Sequence, residues 1–135
     1  MKTNKITIEE LLFNDEPITI NRKLAKCLGL KESLFIQRII TLCKIEKKMD
    51  IKKEQTLEFG FFEGKYWTKR SLKEWHEDFT FLSKETIKRT LKKLRNKGVI
   101  LTSFLDNDHF DRTLWYSIDY DVLNSLLENG GAYNE

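Results

Sequence analysis

The chain has 135 residues, of which 40% are hydrophobic and 33% are charged, and its formal net charge is +3. This length and composition predict a single globular domain and argue against an intrinsically disordered chain. No apolar run reaches the roughly 18 residues of a membrane span. The N-terminal sequence also lacks the apolar core of a signal peptide, so we expect a cytoplasmic protein.

Capping residues predict where the helices begin. Capping boxes at Thr7 and Ser71, and capping side chains at Asn21 and Ser83, each precede an apolar helical pattern. In the first half of the chain we predict a short helix through Phe13, a strand at 18–20, a helix ending at Gly29, a central helix at 31–48 and a polar connection at 49–55. A hairpin over 57–68 follows, turning at Glu63-Gly64, and then a helix after Ser71 and a helix at 84–97 ending at Gly98. The chain ends with strands at 99–104 and 113–118 around a polar loop, a last helix from Asp119 through Leu127, and a frayed tail at 129–135.

The two cysteines, Cys27 and Cys43, are too few for a disulfide scaffold or a cysteine zinc site. Each lies inside an apolar helical pattern, which favours a buried free thiol. The central helix at 31–48 carries apolar residues around a wide arc, so we expect neighbouring elements on more than one of its sides.

Charge is unevenly distributed along the chain. Residues 21–64 hold ten basic and six acidic side chains, and residues 65–97 hold eleven and four. Residues 1–20 have a balance of −2, and the residues from 98 onward have a balance of −6. A basic middle is the electrostatic pattern expected of a nucleic-acid-binding protein, although a solvated lysine-rich surface produces the same pattern.

The order of the predicted elements from residue 67 onward indicates a fold class. A short strand, a helix, a tight turn, a second helix, a strand, a loop and a strand follow one another, as in a winged helix-turn-helix. We therefore predict an α+β, mostly helical fold. A winged helix-turn-helix domain at 18–120 would follow an N-terminal arm or short helix at 1–17 and precede a C-terminal helix and tail at 121–135.

The helix at 84–97 is the predicted recognition helix, which would lie in the DNA major groove. At about 100° per residue, Ile87, Leu91 and Leu94 form one inward stripe with Thr90 at its edge. The segment holds seven basic residues and one acid, and most of them lie away from that stripe. Basic side chains bind phosphates or guanine, and asparagine reads adenine. We assign base contacts to Glu85, Lys88, Arg89 and Lys92.

Residues flanking this helix are expected to contact the DNA backbone. Lys69, Arg70 and Ser71 precede the first helix of the motif, and Lys93 and Lys97 suit a flanking role. A solvated amphipathic helix without DNA contacts is the alternative interpretation. The complete predicted DNA-binding set is Lys69, Arg70, Ser71, Ser83, Lys84, Glu85, Lys88, Arg89, Lys92, Lys93, Asn96 and Arg112.

The polar loop between the last two strands is acidic, which is unusual for a wing that grips DNA. It carries Asp106, Asp108 and Asp111 beside Arg112. Because phosphates repel an acidic loop, it would stand off the DNA, reach the DNA through Arg112 alone, or contact a protein.

Three stretches of the chain are similar to a known group of proteins. They are Ile20-Asn21-x-x-Leu24-Ala25-x-x-Leu28-Gly29-Leu30, the run from Tyr66-Trp67 through Ser71-Leu72-x-x-Trp75 into Ser83-x-x-Thr86-Ile87-x-Arg89-x-Leu91-x-x-Leu94-x-x-x-Gly98, and Phe110-Asp111-Arg112-Thr113-x-Trp115-Tyr116-x-Ile118-Asp119-Tyr120. Together they resemble the winged-helix domains of Gram-positive phage and plasmid replication proteins, including replisome organisers related to the N-terminal part of DnaD-type initiation proteins. The resemblance implies a mobile-element protein that binds double-stranded DNA, often as a dimer.

The sequence contains no motif for catalysis or for a cofactor. Walker, dinucleotide-binding and HExxH motifs are absent, and His76 and His109 have no partner at a metal-ligand spacing. We expect a non-enzyme with no cofactor and no metal. The first hypothesis is DNA binding in replication initiation or transcriptional regulation. The second is a phage-encoded interaction module that inhibits a host nucleic-acid machine, for example an anti-CRISPR protein, because the acidic ends of the chain would mimic DNA.

Apolar faces on the two terminal helices are compatible with a homodimer. Packing within one subunit explains the same faces equally well. The residues concerned are Ile8, Leu11, Leu12 and Phe13 in the first helix and Val122, Leu123, Leu126 and Leu127 in the last. A host replication or defence protein is the other partner that these hypotheses allow.

Overall fold

Six helices and five short strands form the part of the chain that the computed structural model describes, which is residues 7–14, 16–53, 60–104 and 113–133. The helices are α1 (Ile8–Asn14), α2 (Arg22–Leu28), α3 (Leu30–Lys53), α4 (Leu72–Asp78), α5 (Lys84–Asn96) and α6 (Tyr120–Tyr133). The strands are β1 (Phe61–Phe62), β2 (Lys65–Tyr66), β3 (Thr68–Arg70), β4 (Ile100–Ser103) and β5 (Leu114–Ile118). Helical residues predominate and the strands pair antiparallel, so the fold is α+β and mostly helical, as predicted. None of these helices is long and apolar enough to cross a membrane.

Side-chain caps begin the helices at the residues that the sequence predicts. At α1 the Glu10 N–H donates to Thr7 Oγ1 at 3.1 Å, and the Thr7 N–H donates to Glu10 Oε1 at 3.0 Å. The same reciprocal arrangement begins α4 at Ser71. Asn21 caps α2 and Ser83 caps α5. Each cap binds a backbone donor that the helix itself leaves free, which explains why these helices start where they do.

The segment at 18–20 belongs to no strand, so the strand predicted there is wrong. Gln37 on α3 takes the place of a strand partner. Its Nε2 donates to the Thr19 carbonyl at 2.7 Å, and the Asn21 N–H donates to its Oε1 at 2.8 Å. A side-chain amide offers the same donor and acceptor as a backbone peptide and therefore holds the segment against the helix.

The long helix α3 forms the centre of the fold. It contacts α2, α5 and three of the strands, as its wide apolar arc predicts. Phe35, Ile36 and Ile39 are completely buried. The helix continues to Lys53, so the polar connection predicted from residue 49 is wrong over 49–53. Met49, Lys52 and Lys53 are good helix formers and no glycine or proline interrupts the segment, so nothing local ends the helix at residue 49.

Two small antiparallel sheets follow α3. β1 and β2 form the predicted hairpin, and Glu63 and Gly64 have φ values of 51° and 74°, as a type I′ turn requires. In the second sheet the strand order is β3-β5-β4, so the last strand of the chain lies between the other two. Thr68 is paired with Tyr116, and Ile100 with Ile118.

Some predicted features lie outside the described residues. They are the parts of the polar connection and the hairpin at 54–59 and the loop at 105–112, which includes Arg112 and His109. The strands on either side of that loop, β4 and β5, lie within their predicted ranges.

An aromatic cluster joins α3, α4 and β5. Trp75 is 1% exposed, and its ring lies 5.1 Å from Phe35, 6.3 Å from Phe79 and 5.4 Å from Tyr116 between centroids. The contacts with Phe35 and Tyr116 are edge-to-face, a favourable geometry for aromatic pairs. The apolar stripe of α5 joins the same core, which holds α4 and α5 in a defined relative orientation.

The last helix, α6, packs against α2. Asp119 accepts the N–H groups of Asp121 and Val122, so it caps α6 as predicted. Leu123 is buried. The helix runs to Tyr133, beyond its predicted end, so the predicted frayed tail is wrong over 129–133.

Candidate nucleic-acid interface

The inner face of α5 is the apolar stripe that the sequence predicts. Ile87 and Leu94 are fully buried, and Thr90 and Leu91 are exposed by only 4% and 7%. These residues pack on α3, α4 and β4. Because this stripe is held in the core, the rotation of α5 about its own axis is set and its opposite face is directed to solvent.

The outer face of α5 consists of exposed basic and polar side chains, as predicted. The exposed members of the predicted set are Ser83, Lys84, Glu85, Lys88, Arg89, Lys92, Lys93 and Asn96. Glu85 lies 3.6 Å from Lys88 in an ion pair that is mostly in solvent, and Arg89 donates a long 3.4 Å hydrogen bond to Thr86. Solvent-exposed contacts of this kind stabilise little, so both cations can rearrange toward a ligand.

The two serines of the predicted set act first as helix caps. Ser83 Oγ accepts the Thr86 N–H at 3.1 Å, and Ser71 Oγ accepts the Glu74 N–H at 3.1 Å. Ser83 is exposed and Ser71 is half-buried. Their place in the fold is therefore explained by the helix starts, and a DNA contact would be an additional role.

The charge of Arg70, for which the sequence predicts a phosphate contact, is paired inside the protein. Its guanidinium binds the Asp78 carboxylate and the Glu74 carbonyl, and it lies 5.4 Å from the centre of the Trp75 ring. Arg38 donates to the same carboxylate at 3.2 Å. The Arg70 side chain is only 12% exposed. The phosphate contact stays a prediction, and it would leave Asp78 with Arg38 as its partner.

A groove of about 680 Å³ follows one edge of α5, between this helix, the start of α4 and the start of β5. Lys88, Lys92 and Arg95 line it on the α5 side. Arg95 is exposed and was missed by the sequence reasoning. Its spacing of three residues from Lys92 and seven from Lys88 is the signal that would have placed it on the same edge. We call these three residues the basic edge of α5.

The floor of this groove is rigid and partly apolar. It includes Trp75, Leu91 and Tyr116, all of them buried. Burial raises the pKa of the Tyr116 hydroxyl, while the Trp75 side chain and the positive charge of Arg95 act in the opposite direction. The phenol therefore stays neutral at physiological pH, and the charge of the groove comes from its basic edge.

Lys93, on the other edge of α5, is bound within the protein. Its Nζ lies 2.9 Å from Glu32 Oε2, and the two side chains are 50% and 10% exposed respectively. Burial alone would raise the pKa of Glu32, but the hydrogen bond and charge of Lys93, together with the charge of Lys31 and a backbone hydrogen bond, lower it below 4.5. Depriving such a buried carboxylate of its partner costs about 1–3 kcal/mol or more. The backbone contact predicted for Lys93 stays a prediction, and it would have to compete with this ion pair.

Lys69 and Arg112 are the two remaining members of the predicted set. Lys69 is half-buried on β3, opposite Trp115. Arg112 lies outside the described residues. Across the residues that are described, no three His, Cys, Asp or Glu side chains form a group that could hold a metal ion.

The terminal helices differ in how their apolar faces are used. On α6, Leu123 is buried and Val122, Leu126 and Leu127 pack against the core. On α1, Ile8 is 74%, Leu11 is 54% and Leu12 is 66% exposed. The face of α6 is thus occupied within one chain, and α1 alone presents its apolar residues to solvent. The side chain of Phe13 lies outside the described residues.

Comparison of the chain with protein-family models, with curated proteins and with solved structures found no match. The function proposed below is therefore argued from the residues of this chain.

Proposed function

We propose that the chain is a winged helix-turn-helix protein of a phage or other mobile element that binds double-stranded DNA through α5. The observation that carries the proposal is the division of α5 into a buried apolar stripe and an exposed basic face. One face fixes the helix to the core, and the other presents side chains of the types that bind phosphates and base edges.

The order of the strands and helices supports the winged-helix part of the proposal. β3 precedes α4 and α5, the pair β4 and β5 follows, and β5 lies between β3 and β4. In a winged helix-turn-helix, the second helix lies in the major groove and the hairpin after it forms the wing. An α-helix with its side chains is about 10–12 Å in diameter, which suits a major groove about 12 Å wide, and the 13 residues of α5 give it a length of about 20 Å.

The exposed side chains divide into two kinds of DNA contact. Arg89, near the middle of the exposed face, suits the O6 and N7 acceptors of guanine, and Glu85 suits the amino group of cytosine. The basic edge (Lys88, Lys92 and Arg95) and its groove suit the sugar-phosphate backbone. The backbone contacts would place α5, and the side chains of its N-terminal half would read the sequence.

The biological role that we propose is replication initiation or transcriptional regulation. Footprinting distinguishes the two, because a repressor protects a promoter whereas an initiator protects repeats within an origin. The second candidate is inhibition of a host nucleic-acid machine. It is favoured by the net charge of −6 from residue 98 onward, since an acidic surface attracts a protein that binds nucleic acid.

We also propose a homodimer through α1, because its apolar residues are exposed. Two-fold symmetry would then make each α1 contact its own copy. A symmetric dimer of such a protein binds half-sites about one DNA turn, or a multiple of it, apart.

The proposal is tested by measuring binding to random-sequence duplex DNA at about 50 and 200 mM salt. We expect the wild type to bind with a steep salt dependence, because cations on phosphates release counterions. The double variant Arg89→Ala/Lys92→Ala should bind at least about tenfold more weakly, since binding to random DNA is electrostatic and the variant removes two cations from the proposed interface.

The matched control is Lys47→Ala/Lys48→Ala, which removes two exposed positive charges from the distant half of α3. Lys47 is 15 residues from Glu32, or about 22 Å along the helix axis. The control should bind like the wild type. Absence of wild-type binding at low salt would overturn the DNA proposal and favour the protein partner. Equal weakening by both double variants would reject α5 as the reader.

A further inference from the structure

The lysines on the two edges of α5 differ in how firmly they are bound within the protein. Lys88 and Lys92, on the basic edge, are exposed, and the ion pair of Lys88 with Glu85 is mostly solvated. Lys93, on the opposite edge, is bound to Glu32, whose side chain is 10% exposed. Lys88 and Lys92 are therefore available to bind a ligand at little free-energy cost, whereas Lys93 would first have to leave Glu32.

The position of Glu32 is determined by the corner between α2 and α3. Gly29, which separates them, has a φ of 111°, and a Cβ there would lie 2.1 Å from Glu32 Oε1. The carboxylate thus occupies the space that any other residue at this corner would need. It also lies in the first turn of α3, where the helix dipole favours a negative charge. Backbone geometry and helix polarity both hold the carboxylate beneath Lys93.

A DNA phosphate would compete with Glu32 for Lys93. Transfer of the ammonium to the phosphate would leave a buried carboxylate with fewer partners and close to a second negative charge. Glu32 is removed from water, so the loss of its partner has a high free-energy cost. A phosphate that Lys93 does not contact keeps its water and counterions, so it gains less free energy from Lys93 than Glu32 would lose. The equilibrium therefore keeps Lys93 on Glu32 when DNA is bound.

We propose that Glu32 withholds Lys93 from the DNA backbone, so that α5 binds phosphates along its basic edge and not along both edges. This inference rests on the proposed DNA-binding function. Its consequence concerns specificity. Phosphate contacts are the part of binding that is independent of sequence, so one contact fewer weakens binding to random DNA and leaves the base contacts of α5 unchanged.

The test is the salt dependence of binding to random-sequence duplex DNA for the wild type and Glu32→Gln. We expect the variant to bind more tightly at low salt. Its slope of log K against log salt should be steeper by about 0.9, the increment for one phosphate. Between 50 and 200 mM salt, this difference equals an additional loss of affinity of about 3.5-fold.

Two further variants serve as controls. Glu32→Gln/Lys93→Gln replaces the ion pair by two amides and should return the slope to the wild-type value. Glu128→Gln removes one exposed acidic charge on α6, so it changes the net charge equally and should leave the slope unchanged. Thermal unfolding of each variant verifies that the fold is retained.

The possible outcomes separate this inference from the proposed function. A wild type that fails to bind duplex DNA overturns both. A wild type that binds, with a Glu32→Gln slope that is unchanged or shallower, overturns the inference alone. If Glu32→Gln does not fold, the variant Lys93→Gln decides. An unchanged slope supports the inference, and a slope shallower by about 0.9 shows that Lys93 does contact a phosphate and overturns it.

Discussion

Cys43 is a partly buried free thiol on α3 that lies against the backbone of neighbouring strands. Its Sγ donates to the Tyr66 carbonyl at 3.2 Å and to the Tyr116 carbonyl at 3.8 Å. Burial raises the pKa of the thiol to about 12, and the negative charge of Glu46 acts in the same direction. Since the thiolate is the reactive form, a thiol with this pKa reacts very slowly near neutral pH.

We therefore expect iodoacetamide at pH 8 to leave Cys43 unmodified in the folded protein. In guanidinium chloride, where the hydrogen bonds and the burial are lost, the same residue should be alkylated completely. Mass spectrometry of the peptide that contains Cys43 measures both states. Rapid alkylation of the native protein at this residue would contradict the partly buried position of the sulfur.

At the residue scale, the predicted site and the structure differ where a partner is distant in sequence. The exposed face of α5 follows from helical periodicity, so Lys88, Arg89 and Lys92 were identified from spacing alone. Lys93 has the same periodicity but is bound to a carboxylate 61 positions away. Arg70 likewise binds a carboxylate eight positions away, on the next element. A local pattern identifies a surface, but only the tertiary fold identifies which of its charges are already paired.

At the element scale, α5 depends on its N-terminal cap. The first two residues of this helix, Lys84 and Glu85, are exposed, so Ser83 is the main support of its start before Ile87 enters the core. We expect Ser83→Ala to lower the free energy of unfolding by about 1 kcal/mol, because the Thr86 N–H loses its acceptor. Urea denaturation measures this change.

The comparison variant is Ser83→Gly, which costs only a few tenths of a kcal/mol at a cap because glycine adopts the required backbone readily. The two variants lack the same hydroxyl, so a difference between them reports the backbone preference of the capping position. Equal stability of Ser83→Ala and the wild type would show that the cap contributes nothing.

The ends of the elements show what their sequence signals can determine. Starts at Thr7, Asn21, Ser71 and Ser83 were predicted correctly because a capping side chain satisfies a particular backbone donor. The sequence predicts the C-terminal end of α3 too early, since the polar residues at 49–53 suggest a connection but include no glycine or proline to stop the helix. The end of a helix in such a stretch is determined by what the helix packs against.

The sequence predicts which of these short segments are strands better than it predicts their hydrogen-bond partners. β4 and β5 were identified from β-branched and aromatic residues flanking a polar loop. The β-branched residues at 18–20 also predict a strand, and that prediction is wrong. Its hydrogen-bond partner is the Gln37 side chain and not another strand, and no local signal indicates that choice.

At the scale of the whole molecule, the exposed face of α1 predicts self-association. We expect sedimentation equilibrium at micromolar concentration to give twice the mass of one chain. The double variant Ile8→Ser/Leu12→Ser should give the mass of one chain, because the two side chains lie four residues apart on one helical face and are 74% and 66% exposed.

The matched control for the dimer is Phe81→Ser, which removes an equally exposed apolar side chain (61%) from the link between α4 and α5. This variant should associate like the wild type. A wild-type mass of one chain at 100 µM would contradict the dimer and, with it, the expected spacing of DNA half-sites.

The central position of β5 has a consequence for how the chain folds as it is synthesised. β3 and β4 do not pair with each other, since each is hydrogen-bonded to β5 alone in the sheet that the described residues form. At about 5–20 residues per second, α5 is synthesised roughly one to several seconds before the strand that completes the sheet beside it. During this interval Tyr116 and Ile118 are missing from the core, and the partly folded chain exposes apolar surface to chaperones and proteases.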